Sequence, residues 1–220
     1  MVYGLNVKPE HGYYVDFEPL NGDIKKVTLL DETPDEGINP RGSPFAAGRP
    51  IDPTHMPTKV QWRDRQGHPI PDFDNGPQLH ISERAKALVE SFEPGIHQFL
   101  PVEFVDVDGN LIENRWFLIV CNRLDSIDRA HVRGFLLWRG KMWTPIQDFV
   151  RDMPDEIPPG YDISQKSELV FSRKKIGKAH FWNDKHLGGG GIYISDEIAA
   201  ALKSGGFTGL RLSANGLETV

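Results

Sequence analysis

Eight histidines, one cysteine and 31 aspartates and glutamates are the raw material for any chemistry this chain could perform. The histidines stand at His11, His55, His68, His80, His97, His131, His180 and His186. None falls into the His-Glu-x-x-His or Cys/His spacing that fixes zinc. The best metal-ligating trio is His180, Asp184 and His186, which would support a metal-dependent hydrolase; its plainer reading is a solvated loop beside the Gly188–Gly191 tether. Asp106 and Asp108 alternate along a strand that enters a turn and could share one face as paired carboxylates, although such residues more often open a hairpin and stay solvated. Asp125 and Asp128 flank Ser126-Ile127, where side chains of this type cap and turn the backbone. The four glycines from Gly188 lack the Gly-Lys-Ser/Thr and immediate helix of a phosphate loop. Cys121 ends an apolar run with no electropositive neighbour to activate it. No catalytic residue, metal ligand or cofactor is therefore assigned.

The elements that must position these residues follow a pattern that occurs twice. Ile81-Ser82-Glu83 opens a stretch with Ala85, Leu88 and Val89 on one helical face, ending at Gly95. Ile194-Ser195-Asp196 opens another, with Ile198, Ala201 and Leu202, ending at Gly205-Gly206. In both, a serine can accept a hydrogen bond from the first turn, and an acidic residue follows where the helix dipole favours it. Each runs into a β-type segment, Ile96 to Val105 and Phe207 to Leu212.

Between the two units, Phe99–Val107 and Leu111–Cys121 flank Asp108-Gly109-Asn110, a hairpin signal. Phe135–Trp138 and Met142–Trp143 read as a second strand pair about Arg139-Gly140. Glu168–Ser172, Ala179–Trp182 and Ile192–Ile194 read as further strands. Near the front, Tyr13–Glu18 and Ile24–Leu30 read as extended pieces about Asn21-Gly22-Asp23. Residues 31–78 hold nine prolines, which break helices and most central strands; only Val60-Gln61-Trp62 looks regular. This excursion is expected to pack locally through Phe45, Trp62 and Phe73. The class is α+β: a mainly antiparallel sheet, two similar helix-strand units and a Pro-rich irregular N-terminal region. Residues 1–78 are expected to pack on a main body of residues 79–220.

A formal charge of −6 argues against nucleic acid as a direct ligand and leaves room for a basic protein partner. A single cysteine allows no internal disulfide. No segment has the length of a membrane-spanning helix or the shape of a signal peptide, so the cytoplasm is the expected location.

Asn122-Arg-Leu-Asp-Ser-Ile-Asp128 after an apolar strand, Leu169-Val-Phe-Ser172, Ile194-Ser-Asp-Glu-Ile198 and Gly206-Phe-Thr-Gly-Leu210 resemble the DUF1629 family, also called the Imm11 immunity proteins of bacterial polymorphic toxin systems. Ile81-Ser-Glu83 and Leu100-Pro-Val-Glu103 match the family's first helix-and-strand unit. The resemblance covers about residues 75–214, and order and spacing carry it rather than any one motif. Relatives commonly have an Arg at the end of a strand shortly before the last helix; here Phe181-Trp-Asn-Asp-Lys-His186 and four glycines stand instead.

The resemblance implies a protein that binds and neutralises a cognate toxin domain by occlusion, without catalysis. Many toxin domains are nucleases with basic clefts. On that reading Asp31, Glu32, Asp35 and Glu36, or Asp152, Asp155 and Glu156, would steer association. Trp138, Arg139, Trp143 and Trp182 would anchor the contact, with core packing as their alternative.

Overall fold

The computed structural model describes residues 1–10, 12–13, 15–37, 43–64, 66–132, 136–139, 142–145, 155, 169–187 and 191–219. In chain order the strands are β1 (Val2–Val7), β2 (Phe17–Pro19), β3 (Lys59–Trp62), β4 (Phe73–Asn75), β5 (Leu79–Ile81), β6 (Gln98–Val105), β7 (Leu111–Ile119) and β8 (Arg123–Leu124). They continue with β9 (Leu136–Arg139), β10 (Met142–Pro145), β11 (Leu169–Ser172), β12 (Phe181–Asp184), β13 (Ile192–Ser195) and β14 (Leu210–Thr219). The helices are α1 (Glu83–Phe92), a single turn α2 (Arg173–Ile176) and α3 (Asp196–Ser204).

Alternation of apolar side chains along the strands sorts the residues into layers. On β7 and the residue after it, Phe117 and Ile119 face one cluster while Leu118 and Val120 face another. On β12, Phe181 and Trp182 divide in the same way. The strands form two six-stranded sheets, β2-β3-β6-β7-β5-β4 and β11-β14-β1-β13-β12-β8, with β9 and β10 as a separate pair. The faces of both sheets meet α1 and α3 in a shared core that includes Phe73, Ile81, Val89, Leu118, Phe181, Ile194, Ile198 and Leu202. The far face of the first sheet carries a second cluster with Val60, Trp62, Phe104 and Phe117; that of the second sheet carries a third with Phe171, Trp182 and Tyr193.

The architecture is α+β and mostly strand, with most neighbouring strands antiparallel. Across β4-β5-β7-β6-β3 the first three junctions are antiparallel and the last parallel. Across β12-β13-β1-β14-β11 the junctions run in the same order.

Both main helices begin as their sequences dictate. Ser82 Oγ accepts from Ala85 N at 3.3 Å, and Ser195 Oγ accepts from Ile198 N at 3.4 Å. A glycine at positive φ follows each helix, Gly95 at 71° and Gly206 at 60°, where a side chain would be strained.

The front of the chain departs from expectation in three places. Ile24–Lys26 is a 3-10 turn rather than part of a strand, because Asp23 accepts from Lys25 N and caps it. Val2–Val7, which carried no sequence signal, is a central strand between β13 and β14. Phe73 belongs to β4 and to the shared core, and Phe45 and Trp62 pack on a cluster that includes Val102, Phe104, Phe117 and Ile119 of β6 and β7, so the Pro-rich excursion packs on the first sheet rather than locally.

Two buried carboxylates tie the sheets together. Glu93, at the end of α1, accepts from the backbone N–H groups of His180 and Phe181, each at 2.9 Å, from Asn122 Nδ2 at 2.7 Å and from His97 Nε2 at 2.7 Å. Cys121 N donates to His97 Nδ1, which leaves the ring hydrogen on Nε2 for Glu93. Asp72, just ahead of β4, accepts from Thr208 N at 2.9 Å, Thr208 Oγ1 at 3.0 Å, Ser82 Oγ at 2.7 Å and Arg84 Nε at 2.6 Å. Burial pushes both carboxyls up. The donors outweigh it and hold both below the usual carboxylate range, Asp72 far below.

Two outcomes are expected. Glu93→Ala strands at least two backbone donors at about 1–3 kcal/mol each, so the urea midpoint should fall by about 1 M or more. A carboxyl held below its unfolded value contributes stability that is complete above that value and lost as pH falls through the folded one. The wild-type midpoint should therefore drop steadily below about pH 4, and Asp72→Asn, weaker at neutral pH, should show a shallower acid slope.

Candidate partner-binding surface

The first acidic cluster divides between solvent and scaffold. Asp31 and Glu32 are exposed, and Asp31 Oδ1 accepts from Thr33 N at 2.8 Å. Asp35 is bound instead. Arg123 of β8 reaches its two oxygens at 2.8 and 2.9 Å, and Arg49 lies at 3.0 Å. The Arg123 hydrogen bonds hold its carboxyl far below the usual range. Glu36 is paired with Lys185. These ion pairs fasten the Pro-rich segment to the second sheet, and Gly37 lies so close that a Cβ there would meet Arg123 Nη2 at 2.5 Å.

Of the second cluster, Asp155 is exposed; Asp152 and Glu156 lie outside the described residues, as do Gly188–Gly190. The aromatic residues also separate. Trp182 is fully buried in the third cluster, and its Nε1 donates to Ser126 Oγ at 3.0 Å. Its place is the core alternative, since an indole without accessible surface cannot anchor a partner on this face. Trp143 is half-buried against the same cluster, with the Arg129 guanidinium 5.6 Å from its ring. Trp138 is the backbone partner of Trp143 in the β9–β10 pair, and Arg139 closes β9. Among the described residues, Asp35 and Glu36 are held by ion pairs and Trp182 lies in the core, which leaves Asp31, Glu32 and Asp155 exposed.

The chemical alternative fares no better. Asp184 is buried and its oxygens accept from Ser126 N, Ser126 Oγ, His186 N and Leu187 N at 2.7 to 2.9 Å. His180 is engaged through its N–H with Glu93 and through Nδ1 with Ser195 Oγ at 2.8 Å. Asp184 and His180 are therefore used as structure, and among the described residues no three His, Cys, Asp or Glu side chains are gathered for a metal. Asp106 caps its turn by accepting from Asp108 N and Asn110 N at 2.9 and 2.8 Å. Asp125 pairs with Arg129 and Lys175, and Asp128 with His131 and Thr219. Burial pushes the Cys121 thiol up, away from the reactive thiolate.

A cleft of about 370 Å³ opens between the sheets, with Leu5, Val7 and Ile192 on one side and Asn75, Gln78 and Leu79 on the other. Its lining offers amides, the Ser43 hydroxyl, apolar groups and Arg211.

A family model described as an immunity protein family, Imm11, matches residues 10–216. The chain belongs to the Imm11 immunity protein family. The match reaches through the Pro-rich front, beyond the residues 75–214 that carry the sequence resemblance. A search of curated proteins found no match. In this Imm11 chain, no helix among the described residues is long and apolar enough to cross a membrane.

Arg123→Ala is expected to release residues 31–37 and 43–49 selectively. Hydrogen exchange should quicken there while α1 and β7 keep their protection, because Asp35 loses its two-pronged partner and the shared core does not.

Proposed function

We propose that this protein neutralises a cognate toxin domain, such as a nuclease, by stoichiometric binding, with no catalysis of its own. The toxin would belong to a polymorphic system of the same bacterium, and neutralisation would take place in the cytoplasm. Membership of the Imm11 family over residues 10–216 carries this reading. The commitment of Asp184 and His180 to hydrogen bonds that hold the scaffold supports it against a metal-dependent hydrolase. Occlusion needs a preformed surface, and the two sheets and their buried seam supply a rigid one.

We also infer that the two five-strand sets are related units. In each, a helix capped by a serine joins the strands on either side of an antiparallel one: α1 joins β5 to β6 around β7, and α3 joins β13 to β14 around β1. In each, the residue just ahead of an antiparallel strand holds the capping hydroxyl. Asp72 Oδ1 meets Ser82 Oγ at 2.7 Å, and His180 Nδ1 meets Ser195 Oγ at 2.8 Å. The middle strand follows its unit in the first case and leads the whole chain in the second.

Calorimetry against the C-terminal domain encoded immediately upstream tests the main reading. One-to-one binding in the nanomolar range, with rescue of cells expressing that domain, is expected. No heat at micromolar concentration overturns it. Within the complex, Asp31→Asn with Glu32→Gln should lower the association rate several-fold at low salt and little at high salt.

A further inference from the structure

The hairpin between β6 and β7 holds three of the exposed large apolar side chains within six residues: Val107 at 65%, Leu111 at 56% and Ile112 at 44% exposure. Its backbone explains part of this. Val105 is opposite Leu111 and Phe104 is opposite Glu113, so Ile112 is an extra residue in β7 with no cross-strand partner. Such a bulge twists the strand and re-aims its side chains. It also breaks the ladder at an edge that β5 leaves open, since β5 meets β7 only at Trp116 and Phe117. A strand from another chain is thereby discouraged from adding here, and contact through side chains is what the tip offers. The tip is rigid. Asp106 gathers Asp108 N, Asn110 N and Asn110 Nδ2, and Gly109 turns the chain at a φ of 86°. Of the carboxylates here, Asp106 is spent on the turn and Glu113 is paired with Arg115 at 2.6 Å, which leaves the exposed Asp108 as the charge the tip presents.

We propose that this tip, Asp106 to Glu113, is the element that the protein inserts into its partner, and that it fits a protein surface with an apolar hollow edged by lysine or arginine. The inference rests on the immunity reading and names the surface used. Three apolar side chains on a preformed turn lose little freedom on binding, and the Asp108 carboxylate favours a basic rim and speeds the encounter. The substrate cleft of a toxin that acts on an anionic substrate has this chemistry.

The test compares the wild-type protein with Leu111→Ser/Ile112→Ser and with Asp108→Lys, using the upstream-encoded domain as probe and thermal melting as the check on folding. All three substituted side chains are exposed, so melting should be unchanged. The double variant is expected to bind at least tenfold more weakly. Asp108→Lys should associate several-fold more slowly at low salt. Wild-type binding that both variants match within twofold would overturn this inference and leave the immunity reading intact. Absence of wild-type binding would remove the immunity reading and this one with it.

Discussion

Two buried carboxylates hold the two sheets in one arrangement. Asp72, just ahead of β4, and Glu93, at the end of α1, receive hydrogen bonds from Thr208, ahead of β14, and from His180 and Phe181 at the start of β12. An ionised carboxylate is costly to bury unless its lone pairs are filled, and here they are filled across the seam. Any shift of one sheet against the other would leave charges and backbone donors unmet at once. The shared hydrophobic core would accept many relative positions of two apolar faces; the carboxylates accept one. The rigidity that stoichiometric occlusion needs, as proposed above, has its physical source in that requirement.

The same logic recurs outside the seam. Arg123 and Lys185 secure the Pro-rich segment through Asp35 and Glu36, and Asp184 secures the turn after β12 through four donors. Carboxylates in this chain serve mainly as acceptors that fix backbone. Few of the charges that a sequence reading would assign to partner or metal contact are spare, which shifts attention to Asp31, Glu32, Asp108 and Asp155 on the exposed surface.

How much of this was legible beforehand follows from the range of the signals. The two helices, their serine caps, the β6–β7 hairpin and the β9–β10 pair are specified within a dozen residues each, and they appear where period and turn chemistry place them. β1 was silent because its six residues carry no alternation long enough to register, and its partners lie at the other end of the chain. Ile24–Leu30 misled because its apolar residues reach the second cluster through a 3-10 turn and a single bridge from Leu29 to Ile51 instead of through a strand. Glu93 looked like an ordinary helix terminus before Pro94-Gly95. Nothing local announces that the N–H groups of His180 and Phe181 need it. Trp182 carried equal signals for surface and core, and only its neighbours Phe171 and Tyr193 decide the matter.

The placement of β1 has a consequence for synthesis. The strands of the first sheet all lie between Phe17 and Ile119, so that sheet can assemble while the rest of the chain is still on the ribosome. The second sheet cannot, because β1 waits for β13 and β14, and Val2 is paired with Gly216. Closing so long a loop costs only about 0.6 kcal/mol for each doubling of its length, but the delay is unavoidable. Until the last strand emerges, Val2–Val7 is an unpaired strand, and the seam that locks the molecule has only half its partners.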